Sequence, residues 1–213
     1  MNLETIRSRI DYQTASLALV ALLVSAALAL THVSTHEPIA AAEARDLQAS
    51  LGQVLPEGFF DNVLIEDTVR VETPKGPVTV YRARKAGAVQ GVVYQMGNPG
   101  YSGTITLVMG VDRDGRILGV RVTKHTETPG LGDKIEAAKG DWVLAFNGKH
   151  LGDPAPERWA VKKDGGVFDQ FAGATITPRA VVKTVKEGLD FFAAHREQLL
   201  ASDNSTQEKG QAR

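Results

Sequence analysis

The pattern of hydrophobic and polar positions divides the chain into three parts. From Thr14 to Thr31 there is no charged residue, and most positions are Leu, Ala or Val. Between residues 40 and 55, apolar side chains recur at helical spacing, and short segments rich in Val, Ile and Thr then follow one another, separated by turn residues. From Pro178 to about Leu200 the helical spacing returns.

The uncharged segment near the amino terminus predicts a transmembrane helix over residues 13–33. Eighteen residues from Thr14 to Thr31 rise roughly 27 Å as a helix, which is close to the thickness of the hydrocarbon core. Arg7 and Arg9 lie on its amino side, whereas Arg45 is the nearest Lys or Arg on the other. The positive-inside rule therefore predicts that residues 1–12 are cytoplasmic and that the rest is exported.

Two other interpretations of this segment are open. Ala27-Leu28-Ala29 resembles a small-x-small cleavage site, so the segment could be a cleaved signal peptide. It could also be a buried core helix, although no amphipathic face is visible. An uncleaved anchor is favoured because the apolar run exceeds a usual signal-peptide core and the residues before it carry little net positive charge.

The central part predicts an α+β domain over residues 34–200, with a mostly antiparallel sheet and flanking helices. The strongest hairpin signal is Asp112-Arg113-Asp114-Gly115. A short helix is predicted from Asp133 to Ala138, and a tight turn between short strands within residues 161–168. The polar residues 201–213 are predicted to form a disordered tail. The predicted strands are 69–71, 78–83, 89–95, 104–111 and 116–123.

Composition narrows the classes of function. The chain has 213 residues, 43% of them hydrophobic and 23% charged, which suits one packed domain with an appendage. A net charge of −1 without a basic tract makes nucleic acid an unexpected partner. The absence of cysteine excludes disulfides, iron–sulfur ligation and thiol catalysis. The five histidines are scattered, so we predict no metal site.

The segment Asp169-Gln170-Phe171-Ala172-Gly173-Ala174-Thr175 lies directly before the last predicted helix. Thr177 suits the N-cap and Pro178 the first helical position, so Thr175 would lie beside free N–H groups that favour an anion. The small residues before Thr175 leave space for a phosphate. Simple capping explains a threonine here equally well, so this feature alone leaves both interpretations open.

This segment resembles the Asp-x-x-Ser/Thr-Gly-Ala-Thr motif of FMN-binding domains in the Rnf and Na⁺-translocating NADH:quinone oxidoreductase families. In those families a flavin transferase esterifies the FMN phosphate onto the last threonine, which corresponds to Thr175. Ala172 departs from the motif, because Ser or Thr is usual there. The resemblance implies a cofactor site that includes Asp169, Gly173, Ala174, Thr175, Ile176 and Thr177.

A second segment, Glu127-Thr128-Pro129-Gly130-Leu131-Gly132, forms a rigid turn by its Pro and Gly content. By its residues alone it could be a connecting loop. It resembles a loop that lies against the flavin in the same families. The resemblance implies that Glu127 and Thr128 meet polar edges of the FMN, while Leu131 and Gly132 lie along its ring.

A third segment, Gly100-Tyr101-Ser102-Gly103, is explained by its residues as a turn that opens a strand. Rnf-type members carry a similar segment, so the resemblance implies that Tyr101 and Ser102 support the cofactor. Lys162 and Lys163 are expected to be solvated turn residues, although either could neutralise a phosphate.

The resemblance spans most of residues 40–195 and identifies the chain as a member of the G subunits of Rnf/Rsx-type ion-translocating complexes. It implies covalent FMN that relays electrons among other integral-membrane and redox subunits, in the bacterial inner membrane with the main domain periplasmic. No Gly-x-Gly-x-x-Gly motif is present, so we predict a carrier without catalytic residues of its own. The alternatives are the C subunits of the Na⁺-translocating quinone reductases and a membrane-anchored binding or assembly module without a redox role.

Overall fold

A computed structural model describes residues 10–201 of the chain. The predicted disordered tail, except for Ala201, and most of the predicted cytoplasmic segment lie outside these residues. The chain divides into two compact units, the first ending at Asp46 and the second beginning at Leu47. Each unit is described by itself.

The first unit contains most of a long helix, α1 (Ile10–Gly52). Within it, Tyr12–His32 forms a span of 21 residues with a mean hydropathy of 2.2, and none of its hydrophobic window is buried. Among the described residues it is the one helix long and apolar enough to cross a membrane. The sequence predicts a second helix starting near Ala40, but α1 continues through this position without a break. Within α1, the Thr31 and Thr35 hydroxyls donate to carbonyls four residues earlier.

The second unit is built on a five-stranded sheet in which every neighbouring pair is antiparallel, in the order β1-β2-β3-β4-β5. This confirms the predicted α+β class. Strand β3 extends beyond its predicted end because its last residues pair with β4 across a tight turn, in which the Gly100 N–H donates to the Gly103 carbonyl at 2.7 Å. The strands are β1 (Thr68–Val71), β2 (Val78–Lys85), β3 (Ala88–Pro99), β4 (Thr104–Asp112) and β5 (Ile117–Lys124).

Helix α2 (Ile176–Leu200) covers one face of the sheet. Its apolar residues at helical spacing, including Val181 and Val185, pack on side chains such as Tyr94 and Met109. The Tyr94 hydroxyl donates to the Gly188 carbonyl at 2.7 Å, and burial raises the pKa of that phenol well above its usual value. This contact fixes the position of α2 along the sheet.

The opposite face is covered by the end of α1 and the segment that follows it. Leu51, Val54 and Leu64 pack against residues such as Val93 and Val108, which alternate with those facing α2. Both faces of the sheet are therefore buried, and for that reason its central strands carry apolar residues on both sides.

Between β5 and α2 the chain forms short 3₁₀ turns instead of longer elements. The predicted helix from Asp133 is a turn of three residues, Asp133–Ile135, and residues 161–168 form a 3₁₀ turn with a single parallel bridge between Val161 and Phe168. Aromatic residues pack together there, since Phe146 stacks on Phe168 with ring centroids 4.6 Å apart. This aromatic cluster supports the segment that leads to Thr175.

Candidate functional site

Three segments that are far apart in sequence surround one cavity of about 290 Å³. They are the turn between β3 and β4, the loop after β5, and the residues at the start of α2. All of the predicted binding residues line this cavity except Asp169 and Ser102. The lining residues are Tyr101, Glu127, Thr128, Leu131, Gly132, Gly173, Ala174, Thr175, Ile176 and Thr177.

The two exceptions do not line the cavity, and both make contacts with other residues. Asp169 is exposed and pairs with Lys162, with Nζ 2.6 Å from Oδ1. Its carbonyl accepts a hydrogen bond from the indole of Trp142 at 2.8 Å. Ser102 is also exposed, and its backbone N–H donates to Glu127. The structure thus places Asp169 and Ser102 as supports of the surrounding loops.

The start of α2 differs from the prediction. Helix α2 begins at Ile176, so Thr175 occupies the cap position and Pro178 is the third helical residue. The prediction that Thr177 caps the helix is wrong, because Thr177 is the second helical residue. Its hydroxyl donates to Oε2 of the buried Glu127, a charged acceptor that holds the first turn of the helix.

This helix start leaves polar groups available to a ligand. Thr175 is half-buried, and its hydroxyl makes no hydrogen bond within residues 10–201. In the same described part of the chain, the backbone N–H groups of Ile176 and Thr177 have no acceptor. A helix of this length presents its positive dipole end here, so a hydroxyl and two N–H groups face a site that favours an anion.

Glu127 holds the cavity together from inside. Its side chain is buried, and its Oε1 accepts backbone N–H groups of Tyr101 and Ser102, both at 3.0 Å. Its Oε2 accepts the Thr177 hydroxyl. The carboxylate predicted to meet a polar edge of the cofactor therefore has its oxygens engaged by the protein.

Two glycines make room for this carboxylate. A Cβ on Gly100 would lie 2.6 Å from Oε1 of Glu127, and a Cβ on Gly132 would lie 2.8 Å from the Cβ of Glu127 and 3.0 Å from the Thr177 hydroxyl oxygen. Contacts this close leave no room for a side chain at either glycine. Gly132 therefore serves the packing behind the cavity wall.

His125 is a residue of the site that the sequence analysis missed. Its Nδ1 accepts the backbone N–H of Glu127 at 3.1 Å, and its Nε2 lies 3.0 Å from the carboxylate of Glu136. Nδ1 must be unprotonated to accept, so Nε2 carries the proton and donates to Glu136. Its position in the sequence, two residues before Glu127, was the only indication that His125 contacts this segment.

The loop after β5 is closed by a tight turn. The Thr128 carbonyl accepts the N–H groups of Leu131 at 3.1 Å and Gly132 at 3.0 Å, and Gly130 has φ +77°. Pro129 followed by a glycine with positive φ is the pattern of a type II turn. A backbone hydrogen bond from Gly130, together with Lys139, lowers the pKa of Asp133, which anchors the end of this turn.

The walls of the cavity are apolar and uncovered. Leu131 is 42% exposed, Ile176 47% and Tyr101 69%, which is unusual for large hydrophobic residues of a packed domain. Gly173 has φ +80°, and a Cβ on it would lie 3.6 Å from Leu131, in the space between the two motifs. Apolar walls beside an anion-binding helix start fit a flat ring system that carries a phosphate.

Two regions of the chain match known protein families. Residues 100–190 match the FMN-binding domain family, and residues 1–54 match the RnfG N-terminal region. The first match contains every residue that lines the cavity.

Several relatives are G subunits of the ion-translocating oxidoreductase complex. The chain is 50% identical to that protein from Stutzerimonas stutzeri over 191 residues, which cover 89% of this chain and 84% of the relative. It is 52% identical to the one from Cereibacter sphaeroides over 186 residues, 87% of this chain and 85% of the relative. It is 49% identical to the one from Pseudomonas aeruginosa over 195 residues, 89% and 91% of the two chains.

Two solved structures are similar to the chain. One is NqrC of Shewanella oneidensis, with 24% identity, a TM-score of 0.46, and coverage of 63% of this chain and 69% of that one. The other is the C subunit of the Na⁺-translocating NADH-quinone reductase of Parabacteroides distasonis, with 24% identity, a TM-score of 0.47, and coverage of 61% and 66%.

Proposed function

This chain belongs to the family of G subunits of ion-translocating oxidoreductase complexes, and on that premise we propose that it carries FMN bound covalently to Thr175. The family makes it an electron-transport component of a multi-subunit Rnf complex, anchored in the membrane and containing an FMN-binding domain. The covalent bond, the flavin transferase that forms it and the periplasmic position of the domain are parts of the proposal.

The observation that carries the proposal is the state of Thr175. Its hydroxyl has no hydrogen-bond partner among residues 10–201, and it faces the cavity beside the N–H groups of Ile176 and Thr177. A phosphate esterified to this oxygen would receive both N–H groups and the positive end of the helix dipole. No other hydroxyl that lines the cavity combines these features, since Thr177 is engaged by Glu127, and Thr128 and Tyr101 lie on other segments, away from the start of α2.

The rest of the cavity suits the ring. FMN supplies one-electron transfer chemistry when it is bound, whereas the protein supplies attachment, orientation and the electrostatic environment. Leu131 and Ile176 offer apolar contact to a ring face. The exposed Thr128 side chain can form a hydrogen bond to a polar edge. Tyr101 closes the third side of the cavity.

Attachment requires an activated donor. The Thr175 oxygen forms a bond to phosphorus, its proton is released, and the bond between phosphorus and a leaving group of the flavin nucleotide breaks. Such a donor and the transferase that uses it are therefore partners of this chain. Asp169, which precedes Thr175 in the motif, is exposed and accessible to that transferase.

The membrane anchor suits a carrier with a fixed cofactor. We propose that residues 13–33 cross the inner membrane, that residues 1–12 are cytoplasmic and that residues 34–200 form the periplasmic domain. The anchor keeps the flavin at high effective concentration near the other redox subunits. The covalent bond prevents loss of the flavin to the periplasm.

The test is intact mass of the full-length protein, expressed with and without a flavin transferase. We expect the wild type to gain the mass of one esterified FMN and to give a fluorescent band after denaturation in SDS. Thr175→Val should lose both signals, whereas Thr128→Val, which removes another hydroxyl of the cavity, should keep them. If the Thr175→Val variant still gave a fluorescent band, the flavin would have to be attached to another residue.

The same experiment tests the remaining alternative, a membrane-anchored module without a redox role. Such a module would show no added mass in the presence of the transferase. The other alternative, a C subunit of the Na⁺-translocating quinone reductase, is not supported, because the relatives at about half identity are G subunits and the amino-terminal match is to the RnfG region.

A further inference from the structure

Glu127 is the point at which the three segments of the cavity meet. Its partners Tyr101, Ser102 and Thr177 lie 26, 25 and 50 residues away in sequence. Its side chain is only 4% exposed, although it belongs to the cavity lining. A single carboxylate thus connects the turn between β3 and β4 with the start of α2.

The partners of Glu127 are all hydrogen-bond donors, which is the arrangement of an ionised carboxylate. No Lys or Arg within residues 10–201 forms an ion pair with it. Two nearby acids in the sequence differ, since Asp133, which follows Gly132, pairs with Lys139, and Asp169 pairs with Lys162. The negative charge of Glu127 therefore has no cationic partner at the cavity wall, among the residues that the structure describes.

We propose that Glu127 is a positioning residue for the flavin: it holds the turn at 100–103 and the start of α2 in place, and its negative charge lowers the reduction potential of the bound flavin. This inference rests on the proposed function. Adding an electron to the flavin adds negative charge, and a nearby anion in a poorly solvated wall disfavours that addition. If Glu127 acted by packing alone, replacing it with a side chain of the same shape would leave the potential unchanged.

The charge is tested with Glu127→Gln in the full-length, flavin-loaded protein. Glutamine keeps the shape of the side chain and an oxygen that can accept the two N–H groups, but it removes the charge. Glu157→Gln is the matched control, because it makes the same change in net charge at an exposed position outside the cavity lining. Spectroelectrochemical titration should give a higher midpoint potential for Glu127→Gln and an unchanged one for Glu157→Gln. An unshifted or lowered midpoint potential in Glu127→Gln would overturn the proposal that the charge of Glu127 lowers the potential of the flavin.

The positioning is tested by the initial rate of flavin attachment, measured by intact mass. Glu127→Ala removes the acceptors of both segments and should slow attachment about tenfold, as expected for losing hydrogen bonds to a charged group. Glu127→Gln should restore most of that rate, and circular dichroism checks that each variant is folded. Hydrogen exchange should rise in Glu127→Ala at residues 100–103 and at the start of α2, and in Glu157→Gln it should not. Attachment and exchange at wild-type levels in folded Glu127→Ala would overturn the positioning role.

Failure of the proposed function gives a different result. If the wild type gains no mass with the transferase, the covalent bond to Thr175 is absent, and this result does not depend on the role of Glu127. The same potentials are then measured with FMN bound reversibly, and an equal potential in wild type and Glu127→Gln rejects the inference by itself.

Discussion

The hydroxyl of Thr177 donates a hydrogen bond to Oε2 of Glu127, across 50 residues of sequence. Thr177 is 1% exposed and Glu127 4%, so the bond lies inside the protein, behind the cavity wall. It ties the first turn of α2 to the loop after β5. The helix start that presents Thr175 is therefore held by a tertiary contact, and its own cap position carries no side-chain hydrogen bond.

Thr177→Val should destabilise the second unit, because it leaves one oxygen of a buried carboxylate without its donor. We expect a loss of about 2 kcal/mol in the free energy of unfolding, measured by urea denaturation of the detergent-solubilised chain. Thr177→Ser keeps the hydroxyl and should lose less than half as much. A larger loss in Thr177→Ser than in Thr177→Val would show that the methyl group, and not the hydrogen bond, carries the effect.

Gly132→Ala should destabilise the fold by about 1–3 kcal/mol, since the new methyl group would overlap Glu127 and Thr177. Gly140→Ala is the control: no heavy atom lies within 4 Å of a Cβ built there. That variant should change the stability by less than about 0.5 kcal/mol in either direction. Thermal unfolding of both variants compares them directly, and similar melting temperatures would contradict the crowding at Gly132.

Ala172→Ser restores the hydroxyl that the FMN motif usually has at this position. Ala172 is exposed and does not line the cavity, so the added hydroxyl would face solvent. We expect the rate of flavin attachment to change less than about twofold. A large increase, measured by intact mass over time, would mean that the transferase contacts residue 172 or that the motif changes shape in its complex.

The stability should depend on pH through Asp133. The Gly130 N–H and Lys139 lower its pKa in the folded state, so its ionised form stabilises the fold above the usual aspartate pKa of about 3.9. That contribution is lost as the pH falls through the lowered, native-state pKa. The difference in melting temperature between wild type and Asp133→Asn should therefore shrink between about pH 6 and pH 3. The same comparison with Asp141→Asn, at an exposed acid, should show a smaller change.

Tyr94→Phe should loosen the packing of α2 on the sheet. The variant removes the buried hydrogen bond to the Gly188 carbonyl and leaves that carbonyl without the hydroxyl, at a cost of about 1–2 kcal/mol. Gly188 cannot carry a side chain there, because its Cβ would lie 2.2 Å from the sulfur of Met109. Urea denaturation measures the loss, and an unchanged midpoint would mean that water replaces the phenol.

Local patterns in the sequence were enough for the elements of the fold. Turn residues between short β-branched segments predicted the five antiparallel strands, because hairpins are specified by neighbours in sequence. The uncharged segment predicted the membrane-spanning length of α1 for a similar reason, since hydropathy is additive over adjacent residues. The end of β3 and the short 3₁₀ turns after β5 were missed because cross-strand pairing and packing decide them.

The motifs also identified all ten residues that line the cavity, since each motif is a continuous segment of a known family. What each residue does there could not be read from the segments. Thr177 looked like a helix cap and Glu127 like a cofactor contact, yet each binds the other. His125 had no visible role until its ring was placed between Glu127 and Glu136.

The sequence by itself therefore determined the class of protein, the order of its strands and the residues that line the cavity. Only the tertiary structure decided which polar groups form hydrogen bonds within the protein and which remain available to a ligand. The physical reason is that a hydrogen bond depends on distances within about 3 Å between atoms whose residues are far apart in the chain. Among the described residues, the Thr177 hydroxyl is bound by Glu127, whereas the Thr175 hydroxyl two residues earlier has no partner.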